Sequence, residues 1–310
     1  MNHTSQNIDV PESTLQISMK EYSSNVRESG IDAVEGDNDY LWIKFEGLSA
    51  IRFPEFNTSK PTKEEIRRVF RELKCLLLNY TLLPENNYAN STLYNCIDND
   101  YGLQHLSKNA RRDIRIAQRN LQFGFAHWNE ILDCGLKAFA DTRKRVGLSD
   151  CSEKSFRSRF TRFRKNPAHR AVAAWLDKEI IAFMSLIVLE DFVVIQGSFS
   201  TDDQKKICPN NGLVDFVNNY FLKVNGFSIV CYGLSSVQEN TGKEGLHSYK
   251  VRVGFEAIPV QRVFVLHPLI VPFKEIIRLL LRLLKYLLPE NRAIKKASGI
   301  LESYYYGCRN

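Results

Sequence analysis

Three apolar runs separated by tight turns constrain this chain more than any other feature. Glu179–Leu189 and Phe192–Phe199 are rich in Val, Ile and Phe, and Arg170–Asp177 is apolar through Ala, Val172, Trp175 and Leu176, with Asp177-Lys178 and Glu190-Asp191 between the runs. β-Branched and aromatic runs of this length, bounded by turn residues, read as strands. Connections this short join only antiparallel neighbours, so the segment predicts a three-strand meander. A meander needs helices or a second sheet to bury its faces, and helical patterns lie on both sides of it.

Upstream, Tyr40–Phe53 reads as a strand pair bending at Glu46-Gly47. Thr62 and Glu65 have capping-box spacing and open a helix expected to reach about Tyr80, with Ile66, Val69, Phe70, Leu73 and Leu77 in helical period. Ser91–Asp98 is a short strand, and Ser107 caps the helix SKNARRDIRIAQRN. Two more helices are expected over Trp128–Val146 and Glu153–Lys165. In the second, Phe156, Phe160 and Phe163 share a side, which suits core contacts or a base-stacking platform. After the meander come the loop Pro209-Asn210-Asn211-Gly212, a helix Leu213–Asn225, a strand Phe227–Tyr232, a helix carrying Tyr249, and a strand Phe255–His267. The expected divisions are a flexible segment 1–37, an N-terminal half 38–126, a C-terminal domain 127–268, and an amphipathic helix and tail 269–310.

The chain has 310 residues and a net charge of +7, so phosphates, nucleic acid or an acidic membrane surface are the natural partners. Its seven cysteines form no CxxC pair, which predicts reduced thiols and neither a disulfide framework nor a zinc site. Residues 1–10 lack signal-peptide character, and no window suits a spanning helix, so a cytoplasmic protein is expected. Over PFKEIIRLLLRLLKYLLPE, Lys274, Arg278, Arg282 and Lys285 make a basic stripe beside a broad apolar face. Such a helix can lie on the inner face of a membrane through 272–288, on a second subunit, or on its own domain.

The order of elements over Trp128–Pro268 resembles a GNAT acyltransferase domain. Three segments are more similar to the FemAB branch, whose members resemble two GNAT folds in tandem. They are LSKNARRDIRIAQRN (106–120), PNNGL (209–213) and SYKVRVGF (248–255). In the last, Lys250 stands four residues before Gly254, where ordinary GNAT enzymes tend to carry Tyr. The chain also lacks their Gln/Arg-x-x-Gly-x-Gly/Ala pyrophosphate loop. The resemblance implies an α/β (α+β) fold with a mixed, largely antiparallel sheet flanked by helices, in two GNAT-like halves. It implies an enzyme that moves an acyl or aminoacyl group to an amine of a small-molecule, sugar, peptide or cell-envelope precursor acceptor. The donor would be acyl-coenzyme A or aminoacyl-tRNA as co-substrate, with no permanent cofactor and no metal.

Such transfer is direct attack on a thioester or ester, so the enzyme orients, polarises a carbonyl and handles one proton. Lys250 would stabilise developing negative charge, with Tyr249 and His247 assisting proton transfer. Gly197, Ser198 and Phe199 supply oxyanion donors or merely a strand end. Asn210, Asn211 and Gly212 direct helix N–H groups at a phosphate or simply cap the helix. Arg111 and Arg115, with Arg119, form a cationic stripe for substrate phosphates or a solvated face. Glu239 is a substrate contact or weaker general base, and His169 is a weaker general-base candidate. Two other readings stand beside this one: a nucleic-acid-binding module using the basic 111–170 region, and an inactive GNAT-fold scaffold.

Overall fold

The computed structural model describes residues 17–45, 47–85, 88–148, 152–235, 243–288 and 291–307. They form two compact units. A central unit comprises residues up to Asn25, Asn95–Tyr232 and Tyr249–Glu256. A flanking unit comprises Val26–Tyr94, Gly233–Ser248 and Ala257–Asn310. The division expected near Phe125–Trp128 falls inside the central unit.

Residues 1–37, expected to be frayed, include helix α1 (Met19–Glu28), which buries Tyr22 and Val26. Residues 1–16 lie outside the described residues. In the flanking unit β1 (Ala33–Glu35), β2 (Leu41–Phe45) and β3 (Ser49–Phe53) pair antiparallel. Of the bend predicted between the last two, Gly47 has a φ of 73°, where glycine carries no Cβ penalty, and Glu46 lies outside the described residues.

Helix α2 (Lys63–Leu73) follows, capped by Thr62, whose hydroxyl accepts from the Glu65 N–H at 3.1 Å. Glu65 does not close a capping box. Its carboxylate points into the core and accepts from the Tyr40 hydroxyl and the Trp42 indole, both at 2.7 Å. The helix also stops short of Tyr80. Lys74 turns left-handed, and β4 (Leu77–Leu82) pairs parallel with β3. Leu77 continued the helical period by coincidence. Strand neighbours on both sides, invisible to local spacing, override it.

After β5 (Ser91–Cys96), whose last two residues belong to the central unit, come α3 (Lys108–Asn120), capped by Ser107, and β6 (Gln122–Ala126). The helix expected over 128–146 is two, α4 (Trp128–Cys134) and α5 (Leu136–Arg145), parted at Gly135. A Cβ there would lie 2.7 Å from the Ile131 carbonyl oxygen, so only glycine lets the two helices pack this closely. Helix α6 (Glu153–Lys165) precedes the meander of β7 (His169–Leu176), β8 (Glu179–Leu189) and β9 (Phe192–Ser200). Asp177 and Lys178 both have positive φ, as the tightest hairpin turn requires.

Then come α7 (Pro209–Asn218), a π-helical turn to Val224, and β10 (Ile229–Leu234). Helix α7 takes in the expected Pro209–Gly212 loop because Pro209 suits a first helical position. Helix α8 (Lys243–Arg252), β11 (Glu256–Leu266), α9 (Lys274–Leu287) and α10 (Arg292–Gly307) complete the chain.

In the flanking unit β11 runs antiparallel to β4. In the central unit β6 through β9 are antiparallel, and β10 joins β9 in parallel. Ala171 and Ala173 enter an aromatic core with Trp128, Phe139, Phe156, Phe160, Phe183 and Phe199. Val172 and Ala174 point to the opposite face and are equally buried, so helices cover both sides of this sheet. Phe156 and Phe160 are fully buried, each worth about 1.5–3 kcal/mol, which settles that aromatic face as core.

Candidate active site

The parallel ladder between β9 and β10 is short. It runs from Phe192 and Ile229 to Val194 and Cys231. Just beyond, the pairing of β9 with β8 shifts register, from Ile195 opposite Leu186 to Gly197 opposite Ser185, so Gln196 is the extra residue of a bulge. A bulge bends its strand and re-aims the side chains that follow. The groups gathered in the central unit here come from the ends of β9 and β10, the start of α7, and the last turn of α8.

Lys250 is the principal charge among them. It is 4% exposed, donates through Nζ to the Tyr232 carbonyl at 2.7 Å, and sits 4.6 Å from the centre of the Tyr232 ring. Burial lowers its pKa to about 8, with nearby Cys231 pulling weakly upward. The edge of the Phe255 ring closes on Tyr232, with centroids 5.2 Å apart. Gly254, at φ 102°, makes the turn that joins these residues, and a Cβ there would approach Leu106 at 3.0 Å and Tyr101 at 3.2 Å. The aromatic-Lys-x-x-x-Gly-Phe joint is thus a packing device that also buries an ammonium.

Tyr249 adds a hydroxyl that is buried without a hydrogen-bond partner. Burial holds its pKa well above the ordinary phenol value, and neighbouring Tyr232 raises it further. Burial pushes the Tyr232 hydroxyl up to about 12, against an opposing pull from Ser198. His247 is placed differently. It is exposed, and its Nδ1 lies 2.9 Å from the Tyr94 hydroxyl in the flanking unit.

Ser198 donates to Asn210 Oδ1 at 3.2 Å, and Asn210 Nδ2 donates to the Ser200 hydroxyl at 3.1 Å, tying β9 to α7. Gly197 and Phe199 flank Ser198. A Cβ on Gly197 would meet the Phe199 ring at 2.7 Å, so Phe199 backs the strand there and also enters the core. Asn211 is buried, with its Nδ2 unpartnered.

The first turn of α7 offers little to a phosphate. The N–H groups of Asn211 and Gly212 both donate to the Cys208 carbonyl, that of Cys208 donates to Lys205, and Pro209 has none. Of the four donors a helix start normally leaves open, Asn210 alone keeps one without a backbone acceptor among the described residues. Gly212 has a packing reason to be glycine, since a Cβ would fall 2.2 Å from the Phe123 ring and 2.9 Å from Ala117 Cβ.

On α3, Arg115 and Arg119 are exposed and Arg111 is half-buried, and none makes an ion pair among the described residues. Glu239 lies outside the described residues. His169 is a core histidine, stacked on Phe163 at 4.3 Å, and burial lowers its pKa to about 3, which leaves it neutral and makes it a poor proton acceptor at neutral pH. Among the described residues no group of three or more His, Cys, Asp or Glu is placed to hold a metal ion.

Spacing missed two members of this neighbourhood, Tyr101 and Asp215. The Tyr101 hydroxyl donates to Asp215 at 3.3 Å, Gln118 donates to its other oxygen at 2.9 Å, and burial raises the Asp215 pKa against those two bonds. A carboxylate inside the apolar helix sequence LVDFV was the available signal.

No protein-family model matches this chain, and no curated protein matches it in sequence. Solved structures do match in shape. The crystal structure of FemX superposes with a TM-score of 0.53 at 11% identity, over 83% of this chain and 91% of FemX. The C-terminal domain of a protein described as a lysylphosphatidylglycerol synthetase, from Agrobacterium fabrum, superposes with a TM-score of 0.50 at 12% identity, over 80% and 88%. At such identities the likeness shows the fold alone: a mixed α/β architecture of the FemX kind, as the order of elements and the three quoted segments implied.

Proposed function

We propose that the protein is an acyl- or aminoacyltransferase whose acceptor is an amine, attacking the donor directly. The observation that carries this reading is the buried Lys250 ammonium, held on the Tyr232 carbonyl just past the end of the β9–β10 ladder. A cation in so dry a setting stabilises a developing oxyanion far more than one in water. The unpartnered Tyr249 hydroxyl, which neighbours Tyr232 as Lys250 does, is the group to exchange a proton with the amine. Lys250 would act on the donor carbonyl, with Ser198 and the backbone of Gly197 as further contacts.

Of the two donors, aminoacyl-tRNA fits better than acyl-coenzyme A. The closed first turn of α7 supports this choice, because it leaves one N–H where a pyrophosphate would need several. Arg115 and Arg119 are exposed cations suited to the phosphates of a nucleic-acid donor. The rival reading as a pure nucleic-acid-binding module loses ground on α6. There Arg159 packs its guanidinium over the Phe139, Phe160 and Phe163 rings, Arg157 pairs with Glu153, and Arg164 donates to Asn129.

The test is a thermal-shift and native-mass-spectrometry screen with acyl-coenzyme A species and charged tRNA, followed by transfer to simple amines. A shift with charged tRNA and deacylation dependent on the amine are expected. A shift with acyl-coenzyme A alone would overturn the donor assignment, and no transfer from either donor would overturn the reading.

A further inference from the structure

Helix α9 is the least buried long element of the flanking unit. It has no buried residue, although eight of its fourteen positions are Leu or Ile. Along it Ile276, Leu279, Leu280, Leu283, Leu284 and Leu287 are between 38% and 70% exposed. Their spacing of three and four residues places them on one continuous arc. Leu269 at 70% and Phe273 at 56% extend the apolar surface before the helix, and Tyr286 at 84% borders it. Lys274, Ile277, Arg278 and Leu281 are half-buried and make up the side on which α9 rests against α10. The apolar arc therefore faces away from the body.

A fourteen-residue helix is marginal in water by itself, and this one gains little from the core beneath it. An apolar surface this large and continuous marks an interaction site. The charges on the same helix indicate its partner. Four cations, Lys274, Arg278, Arg282 and Lys285, stand against one anion, Glu275. Arg282 and Lys285 are exposed and make no ion pair among the described residues. Two copies meeting through α9 would bring like charges together, a repulsive arrangement. An anionic lipid surface removes the conflict: leucines enter the boundary between headgroups and acyl chains, the long basic side chains reach to the phosphates, and Tyr286 lies at the water interface. Among the described residues no helix is long and apolar enough to cross a membrane, so contact of this helix would be by lying in the surface.

We infer that α9 is an interfacial anchor that docks the protein on an anionic membrane surface. This assignment is independent of the acyl-transfer reading. The experiment is flotation of the full chain with vesicles of phosphatidylcholine alone and of phosphatidylcholine mixed with phosphatidylglycerol. Binding is expected on the mixed vesicles, weakened at least tenfold on neutral ones and reduced by salt. Replacing Leu279 and Leu283 by Glu should abolish it. Each of Arg282→Gln and Lys285→Gln should lower it about fivefold on anionic vesicles alone. All four positions are exposed, and an unchanged melting temperature will show that the variants fold. The inference is overturned if the protein floats with neither vesicle, or if the Leu279→Glu, Leu283→Glu variant still floats. It is equally overturned if sedimentation shows a dimer that this variant dissolves and that does not bind vesicles.

Discussion

Arg52 in the flanking unit and Lys250 in the central unit are both cations with almost no exposed surface, 2% and 4% respectively. Their surroundings differ in kind. Arg52 donates to the carbonyls of Asn57, Ser59 and Thr81, and its guanidinium stacks near the Tyr40 and Tyr80 rings at 4.9 and 5.1 Å. It fastens the loop after β3 to β4, and a guanidinium so placed stays charged at any working pH. Lys250 donates to the carbonyl of Tyr232, and burial brings its pKa to about 8. Burial of a charge is therefore no sign of function in itself. A permanent charge locked on three carbonyls reads as architecture, and a buried titratable one reads as chemistry.

The largest effect should come from Lys250→Met. Transfer should fall about 100- to 1000-fold, the loss typical of removing one oxyanion donor. Stability should behave in the opposite way. Lys250 has a folded pKa near 8 and an unfolded value of 10.5, so the unfolded chain binds more protons between those values. The cost of the buried ammonium, at most about 3 kcal/mol, is full below pH 8 and disappears as pH rises past 10.5. Melting of the variant against the wild type should thus favour the variant most below pH 8, with the gap narrowing towards pH 10.5. In the same wild-type enzyme, activity that depends on the ammonium should decline as pH rises through about 8.

Arg52→Ala should do the converse. Three carbonyls lose a charged donor at once, and stability should fall by on the order of 3 kcal/mol, read by denaturant melts. The specific activity of the fraction that stays folded should be untouched. Loss of turnover in well-folded Arg52→Ala protein would break the distinction between the two cations.

How much of this was legible before the structure depends on the range of the forces involved. The meander, the Thr62 and Ser107 caps, α6 and the Gly254 joint rest on spacing and turn chemistry within a dozen residues, and they appear where those rules put them. The helix expected to reach Tyr80 failed at Leu77, because β4 is made by its pairing with β3 and β11. Glu65 sat at capping spacing, yet its carboxylate went to Tyr40 and Trp42, contacts set by the tertiary fold. In the candidate site Lys250 and Tyr249 could be picked out from the joint, whereas Tyr101 and Asp215 could not. Their meeting spans 114 residues of chain, and no local pattern encodes it.

Gly212 offers a smaller test of the same contrast. Gly212→Ala forces a Cβ against Phe123 and Ala117 where α7 packs on β6 and α3, and overpacking of this kind costs about 1–3 kcal/mol. A glycine kept for a phosphate would instead lose donor affinity with stability intact. We expect a lower melting temperature with the Michaelis constant for the donor unchanged. The reverse result would return α7 to the donor site and acyl-coenzyme A with it.

The smallest expected change in stability is the most telling one. Tyr249 keeps a buried hydroxyl without a partner, and such a group costs the fold the water it gave up. Tyr249→Phe removes the oxygen and keeps the ring, so stability should hold or rise by about 1 kcal/mol. If the hydroxyl exchanges a proton with the attacking amine, turnover should drop about 100-fold in the same variant. A protein that becomes more stable as it becomes less active is what an unsatisfied group retained for chemistry produces. Should turnover persist while stability rises, the hydroxyl plays no part in proton transfer, and Lys250 is left as the one candidate reactive group of this cluster. Should stability fall, the oxygen has a partner in the folded protein, and Tyr249 belongs with Arg52 among the architectural groups.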